Sequence, residues 1–277
     1  MKEISLDNLQ KFEDIFNEDR EKHMVILLTI KTFVYRFEKF PELRNKAKLF
    51  ALSDDWMNDG YFFMIFVVWN EHFVFFDSIH DSTDVLKNAL RSLDYNNLIL
   101  LFAVRNVFHN MICELRDELG IKMHVDADTA CFHLPMAESL ALEYEVPPNF
   151  HVKELTEENV EQINSIWPHR SEGSESFVSY SIKYHLNVGV YDDDNNLAAW
   201  CLRYDNGALG VLQTDPKYLR KGLGSVAVKS FSKKIAEEFQ CDNIALVVHG
   251  NEKSMNLFTK LGFKNLGSHT WYNLIKE

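Results

Sequence analysis

Positive charge is in short supply. The chain has 29 Lys and Arg against 41 Asp and Glu, a formal net charge of −12. Nucleic-acid phosphates call for a basic face, so DNA and RNA are poor partners for this chain. The balance suits small-molecule chemistry or an amine-bearing acceptor. Cysteine is sparse as well. Cys113, Cys131, Cys201 and Cys241 stand far apart, with no C-x-x-C and no metal-like spacing to histidine. They read as reduced thiols, and no metal site is expected. Long apolar runs are missing too. The most apolar, "MVILLTI", stops at Lys31 and is too short to span a bilayer. The opening "MKEISLDNLQKFEDIF" is amphipathic and acidic, without a secretory or Arg-rich transit pattern. A cytoplasmic protein without membrane contact is therefore expected. Nothing in the composition speaks to the oligomeric state.

What the chain does have is core-forming material: 46% hydrophobic residues, 13% aromatic, and 21 Phe in 277 residues. Leu6, Leu9, Phe12 and Phe16 recur at helical steps, and a second helical run, 25–40, stops at Pro41. Strand-like segments "KLFALS", "YFFMIFVVW" and "HFVFFDSI" follow. A helix is expected at 83–93, the strand "LILLFAV" after it, a helix near 108–119 and the strand "DTACFHLP". Residues 67–76, "VVWNEHFVFF", read as alternating strand packing and not as an aromatic ligand box. "EVPPNF" (145–150) is the linker candidate, because paired prolines disfavour helix and hold the chain extended. The pattern then begins again, with Thr156 as a helix N-cap and Asn159 in the capping-box position. "LNVGVY", "LAAWCLRY" and "ALGVLQT" form a meander in which Asp205-Asn206-Gly207 supplies a hairpin turn. Trp200 is placed in the core. A loop and helix, the strand "IALVV", the helix "EKSMNLFTKLG" and two short terminal strands complete the chain. The expected units are residues 1–146 and 150–277.

The functional signal is "TDPKYLRKGLGSVAVKSFSKKIAEEF" (214–239). It contains no Walker A pattern. Gly222, Gly224 and Ala227 imitate a dinucleotide fingerprint. Seven residues, however, separate the preceding strand from Gly222, and Asp242 precedes the next strand where that fold needs an acid at its end. A basic pair, G-x-G and a helix start do suit a pyrophosphate: side-chain-free backbone N–H groups, a positive helix end, and the charges of Arg220 and Lys221. Thirty residues on, "NEKSMNLFTKLGF" (251–263) follows.

These two segments, in this order with "IALVV" between them, resemble the acyl-CoA loop and the following helix of the GNAT superfamily of N-acyltransferases. "LAAWCLRYDNGALGVLQTDPKYLRKGLGS" and "INSIWPHRSEGS" are most similar to its glycine N-acyltransferase group, which carries a degenerate N-terminal copy of the fold. "DDWMNDGYF" and "FHLP" resemble landmarks of that first copy. The resemblance implies an α/β chain of two tandem GNAT-like units, each a mixed, mostly antiparallel sheet flanked by helices. It implies acetyl-CoA or another acyl-CoA as cosubstrate and a small amine or amino acid as acceptor, attacked directly. Mitochondrial relatives exist in that group. Cofactor contacts fall on Leu212, Gln213 and Thr214, on Arg220, Lys221, Gly222, Leu223, Gly224 and Ser225, and on Asn251 and Phe258. Three positions depart from the pattern: Ala208 replaces a Glu base, Leu219 an Arg or Gln, and Phe258 a Tyr acid. Candidate replacements lie in "WPHRSEGSES", the segment that roofs the acceptor site in the family. They are Glu172 and His169 as bases, with Arg170 and Gln213 holding the acceptor. His249 falls near the cleft by topology. The departures also admit a second reading, a CoA-binding or interaction module that has lost turnover.

Overall fold

The computed structural model describes residues 1–80 and 82–276. The chain forms two compact units. One comprises Met1–Cys131, Val248–Gly250 and Leu266–Glu277, and the other Phe132–Val247 and Asn251–Asn265.

The first unit opens with strand β1 (Lys2–Ile4), and helix α1 (Leu9–Phe16) buries Leu9, Phe12 and Phe16 on one face. Helix α2 (Met24–Lys39) is buried without interruption from Met24 to Ile30 and ends just before Pro41. A meander of β2 (Ala47–Ala51), β3 (Tyr61–Val68) and β4 (Glu71–Ser78) follows. Trp69 and Asn70, both at positive φ, make the two-residue turn that sets Val68 opposite Glu71. Helix α3 (Asp84–Arg91) crosses back and delivers β5 (Ile99–Arg105) parallel to β4. Helix α4 (His109–Leu119) is closed by Gly120 in the left-handed conformation, and β6 (Lys122–Leu134) comes next. Phe63, Leu90, Leu101, Phe108, Ile112 and Leu115 share one core with Tyr272 and Leu274 from the far end of the chain.

The second unit runs α5 (Met136–Leu140), β7 (Phe150–Lys153), α6 (Val160–Ile166), α7 (Ser174–Tyr184), β8 (Val188–Asp192), β9 (Leu197–Arg203) and β10 (Ala208–Thr214). Then come α8 (Leu223–Phe239), β11 (Asn243–Val248) and α9 (Glu252–Lys260). Thr156 and Asn159 form the capping box in full. Gly207, at φ +78°, closes the β9–β10 hairpin, its N–H donating to the Tyr204 carbonyl. The strand order is β11-β10-β9-β8-β7, antiparallel except for the parallel β10–β11 pair. Both units thus repeat one plan, an antiparallel meander followed by a helical crossover to a parallel neighbour.

The chain ends in one twelve-residue strand, β12 (Lys264–Ile275), where the sequence suggests two short ones. Gly267, at φ +120°, carries the strand through without turning it back. Its residues from Leu266 onward belong to the first unit, where Thr270 to Leu274 pair antiparallel with Val104 to Ile99 of β5.

Candidate functional site

The second unit contains a place where two neighbouring strands part. β10 pairs with β11 at Ala208–Ile244 and Leu209–Ala245, and no further pair between them follows among the described residues. On its other edge β10 stays with β9, Gln213 opposite Trp200 and Thr214 opposite Ala199. A bulge between Gly210 and Gln213 lies at the parting, and Val211 is held there at φ +47°. A β-branched residue in that region is strained, so the surrounding sheet must impose the conformation. From Val211 to Thr214 the edge of β10 away from β9 therefore faces a gap instead of β11. Leu212, Gln213 and Thr214 are half-buried along it.

The glycine loop closes the end of this gap. Asp215 accepts the Lys217 N–H (2.9 Å) and is itself held by Gln162 Nε2 (3.0 Å), which pins the entry to the loop. Arg220 (φ +63°) and Gly222 (φ +76°) turn the chain into α8. The Gly222 carbonyl accepts the N–H groups of Ser225 (3.0 Å) and Val226 (3.2 Å), while no side chain caps the helix start. The N–H groups of Leu223 and Gly224 therefore have no acceptor within the helix, and they stand at its positive end. A Cβ on Gly224 would lie 3.4 Å from Thr214 Oγ1, so strand end and helix start meet. Lys221 Nζ rests over the rings of Phe150 (5.3 Å) and Tyr218 (5.4 Å), and Arg220 is exposed. The Leu223 side chain is buried, so only its backbone faces the loop.

Two other candidates have structural roles of their own. The Asn251 side chain accepts the Ser254 N–H (3.2 Å) as the N-cap of α9. Phe258 is 3% exposed and packs between Phe132 and Phe263, which puts its ring in the core. His249 lies in the first unit, its Nε2 3.1 Å from Ser268 Oγ and its N–H on the Asp128 carbonyl. The residue after β11 is thus tied to β6 and β12, a structural role for a histidine at a strand end.

His169, Arg170 and Glu172 all lie exposed in the loop between α6 and α7. The Arg170 guanidinium donates to the Ser165 carbonyl, and the His169 ring meets Trp167 edge-on. An aromatic ladder links this loop to β10. Trp167 stacks on Phe177 (5.3 Å), Phe177 meets Tyr204 (5.7 Å), and the Tyr204 ring lies so close to Gly210 that a Cβ there would come within 1.9 Å of Cε2. Sequence reasoning placed Tyr204 on the middle strand of the meander and passed over Gly210, which it meets. The available signal was a glycine inside an otherwise apolar strand, which marks a close approach.

Parted strands, an uncapped helix start behind a glycine turn, and two repeated sheet plans define a tandem GNAT-like acetyltransferase fold. The family description "FR47-like protein" matches residues 187–272, from β8 through most of β12. No curated protein matches the chain. Among solved structures, a Drosophila protein is similar over 99% of this chain and 98% of its own, at 19% identity and a TM-score of 0.87. A tandem GNAT protein from the clavulanic acid biosynthesis pathway covers 77% and 78%, at 8% identity and a TM-score of 0.51. A GCN5-related N-acetyltransferase from Kribbella flavida covers 87% and 93%, at 14% identity and a TM-score of 0.51.

Proposed function

We propose that the second unit is an acyl-CoA-dependent N-acyltransferase, moving an acetyl or other short acyl group to the amine of a small molecule or amino acid. The observation that carries this reading is the junction of the β10–β11 parting with the uncapped start of α8. The two tandem or single acetyltransferases similar in fold support it. In this reading the Leu223, Gly224 and Ser225 end of α8, with Arg220, holds the pyrophosphate, and Lys221 adds charge. Leu212 to Thr214 align the pantetheine arm and donate backbone N–H to the thioester carbonyl, which stabilises the oxygen as charge develops on it. The amine attacks directly, the C–S bond breaks, and coenzyme A leaves. Glu172 is the proposed base through water, with His169 as the second candidate, while Arg170 and Gln213 orient the acceptor. Trp167, Phe177 and Tyr204 brace that loop against β10.

Calorimetric titration with acetyl-CoA and CoA tests the binding step, using Gly224→Glu as the comparison. Binding by the native chain and at least tenfold weaker binding by the variant is the expected result, since a carboxylate would sit where phosphate oxygens belong. No binding of either ligand by the native chain would sink the proposal. Thiol release with a panel of amines then reads turnover. A chain that binds CoA but acylates none of them is the CoA-binding module instead. The core position of Phe258, which brings no proton donor to the cleft, favours that second reading.

A further inference from the structure

The bulge at which β10 leaves β11 is fixed from two sides. β9 sets its ends: Gly210 lies opposite Leu202 and Gln213 opposite Trp200, so Val211 and Leu212 together face the single residue Cys201. Within those ends the shape is set from the face that α6 and α7 cover. Val211 is 6% exposed and shares one core with Ile163 of α6, Val178 of α7 and Trp200 of β9. Gly210, the residue before it, has the Tyr204 ring laid against its main chain. A Cβ there would come within 1.9 Å of Cε2, 2.5 Å of Cζ and 2.6 Å of Cδ2, so the ring fills the space of the missing side chain.

We propose that Tyr204 is a positioning residue: its ring is a wedge that holds the gap-facing stretch of β10 in place and couples it to the loop between α6 and α7. The functional half of this inference rests on the acyl transfer proposed above.

The ring has little room to withdraw. The hairpin holds the Tyr204 main chain twice, its N–H donating to the Ala208 carbonyl and its carbonyl accepting the Gly207 N–H, both at 2.9 Å. Asn206, fully buried, accepts the Ala208 N–H through Oδ1 (3.1 Å) and stiffens the same turn. Phe177 backs the Tyr204 ring at 5.7 Å, and Trp167 backs Phe177 at 5.3 Å with the planes 17° apart.

Both ends of the α6–α7 loop sit on this ladder. Trp167 follows the last residue of α6, and its carbonyl accepts the Arg170 N–H (3.2 Å). Ser174 begins α7 one turn before Phe177, where its hydroxyl meets Asn164 Oδ1 (2.6 Å) and accepts the Ser171 N–H (3.1 Å). His169, Arg170 and Glu172 therefore ride on a loop anchored at two rings of the ladder. Close-packed rings pass on a displacement instead of absorbing it, so a ligand that moves this loop also moves the wedge. By linkage, a ligand seated along Leu212 to Thr214 acts back on the loop with the same coupling.

Amide spectra and calorimetry on the full chain test this. Tyr204→Ala should shift the amide signals of residues 211–214. Trp167→Leu, at the far end of the ladder, should shift them in the native background and not in the Tyr204→Ala background. Acetyl-CoA should bind at least about tenfold more weakly to Tyr204→Ala, and Tyr204→Phe, which keeps the ring, should restore it. Gly210→Ala should weaken acetyl-CoA at least about tenfold in the native background and at most about twofold in the Tyr204→Ala background, where no ring is left to clash. 3′-Phospho-ADP, which carries the pyrophosphate and lacks the pantetheine arm, should bind the native chain and Tyr204→Ala alike. Unmoved signals at 211–214, equal effects of Gly210→Ala in both backgrounds, or loss of 3′-phospho-ADP along with acetyl-CoA would each overturn the proposal and leave Tyr204 a core residue. A native chain that binds neither nucleotide would overturn the functional half together with the acyl transfer, whereas the amide signals decide the wedge by themselves.

Discussion

Cys131, Cys201 and Cys241 are buried, and burial pushes the Cys131 thiol up to about 12 and the Cys201 thiol higher still. Cys113 is half-buried on α4, its Sγ 3.5 Å from Nε2 of His109, whose Nδ1 is held by Tyr272 Oη at 2.8 Å. Thiolate reactivity follows exposure and a nearby base. Alkylation of the native protein, followed by intact mass, should therefore stop at one equivalent, placed on Cys113 by peptide mapping. Two rapid equivalents would contradict this. His269 yields a pH prediction. An unfolded histidine titrates near 6.5 and this one near 4, so as the pH falls from 7 the unfolded chain takes up the proton first. Stability is retained above about pH 6.5 and lost toward pH 4, by about 2 kcal/mol between pH 7 and 5 from this residue. Urea unfolding at both values should show that extra loss in the native chain and not in His269→Phe.

Elements with local causes were legible. Helix α1 follows from Leu9, Phe12 and Phe16, the β9–β10 turn from Asp205-Asn206-Gly207, and the glycine turn into α8 from Gly222 and Gly224. What escaped depends on partners distant in sequence. Strain at Val211 is imposed by two flanking strands, the Tyr204–Gly210 contact needs the ladder from α6 and α7, and the Phe258 ring is buried by Phe132. The two short terminal strands expected are one, Lys264–Ile275, because its pairing with the distant β5 decides where it runs on. Two caps can be tested singly. Asn251→Ala should cost about 1 kcal/mol by leaving the Ser254 N–H without its acceptor. Gly222→Ala places a Cβ at φ +76° and should cost about 1 kcal/mol from strain alone, since nothing crowds the position. Chemical denaturation of each variant checks both, and an unchanged midpoint would show that the cap or the strain is absent.

At the scale of the molecule, β12 is the feature with the widest reach. It supplies Tyr272 and Leu274, 1% and 0% exposed, to the core of the first unit and covers the edge of β5. A chain ending at Asn265 should lose several kcal/mol from that core, about 3 or more for the two side chains. Hydrogen exchange should accelerate across Ile99–Arg105, while the amides of α8 after its first turn keep their protection. Slow exchange in β5 of the shortened chain would refute this.

The position of β12 also reverses the usual order of events on the ribosome. β5 leaves the tunnel long before β12, yet its sheet waits for β12 to be translated. At about 5–20 residues per second, roughly 10 to 30 s separate the synthesis of β5 from that of the strand that covers it. Throughout that interval "ILLFAVR" hangs from the nascent chain as an apolar, unpaired edge. The first unit is begun before the second and completed after it, and a chaperone that recognises extended apolar segments would find its client there.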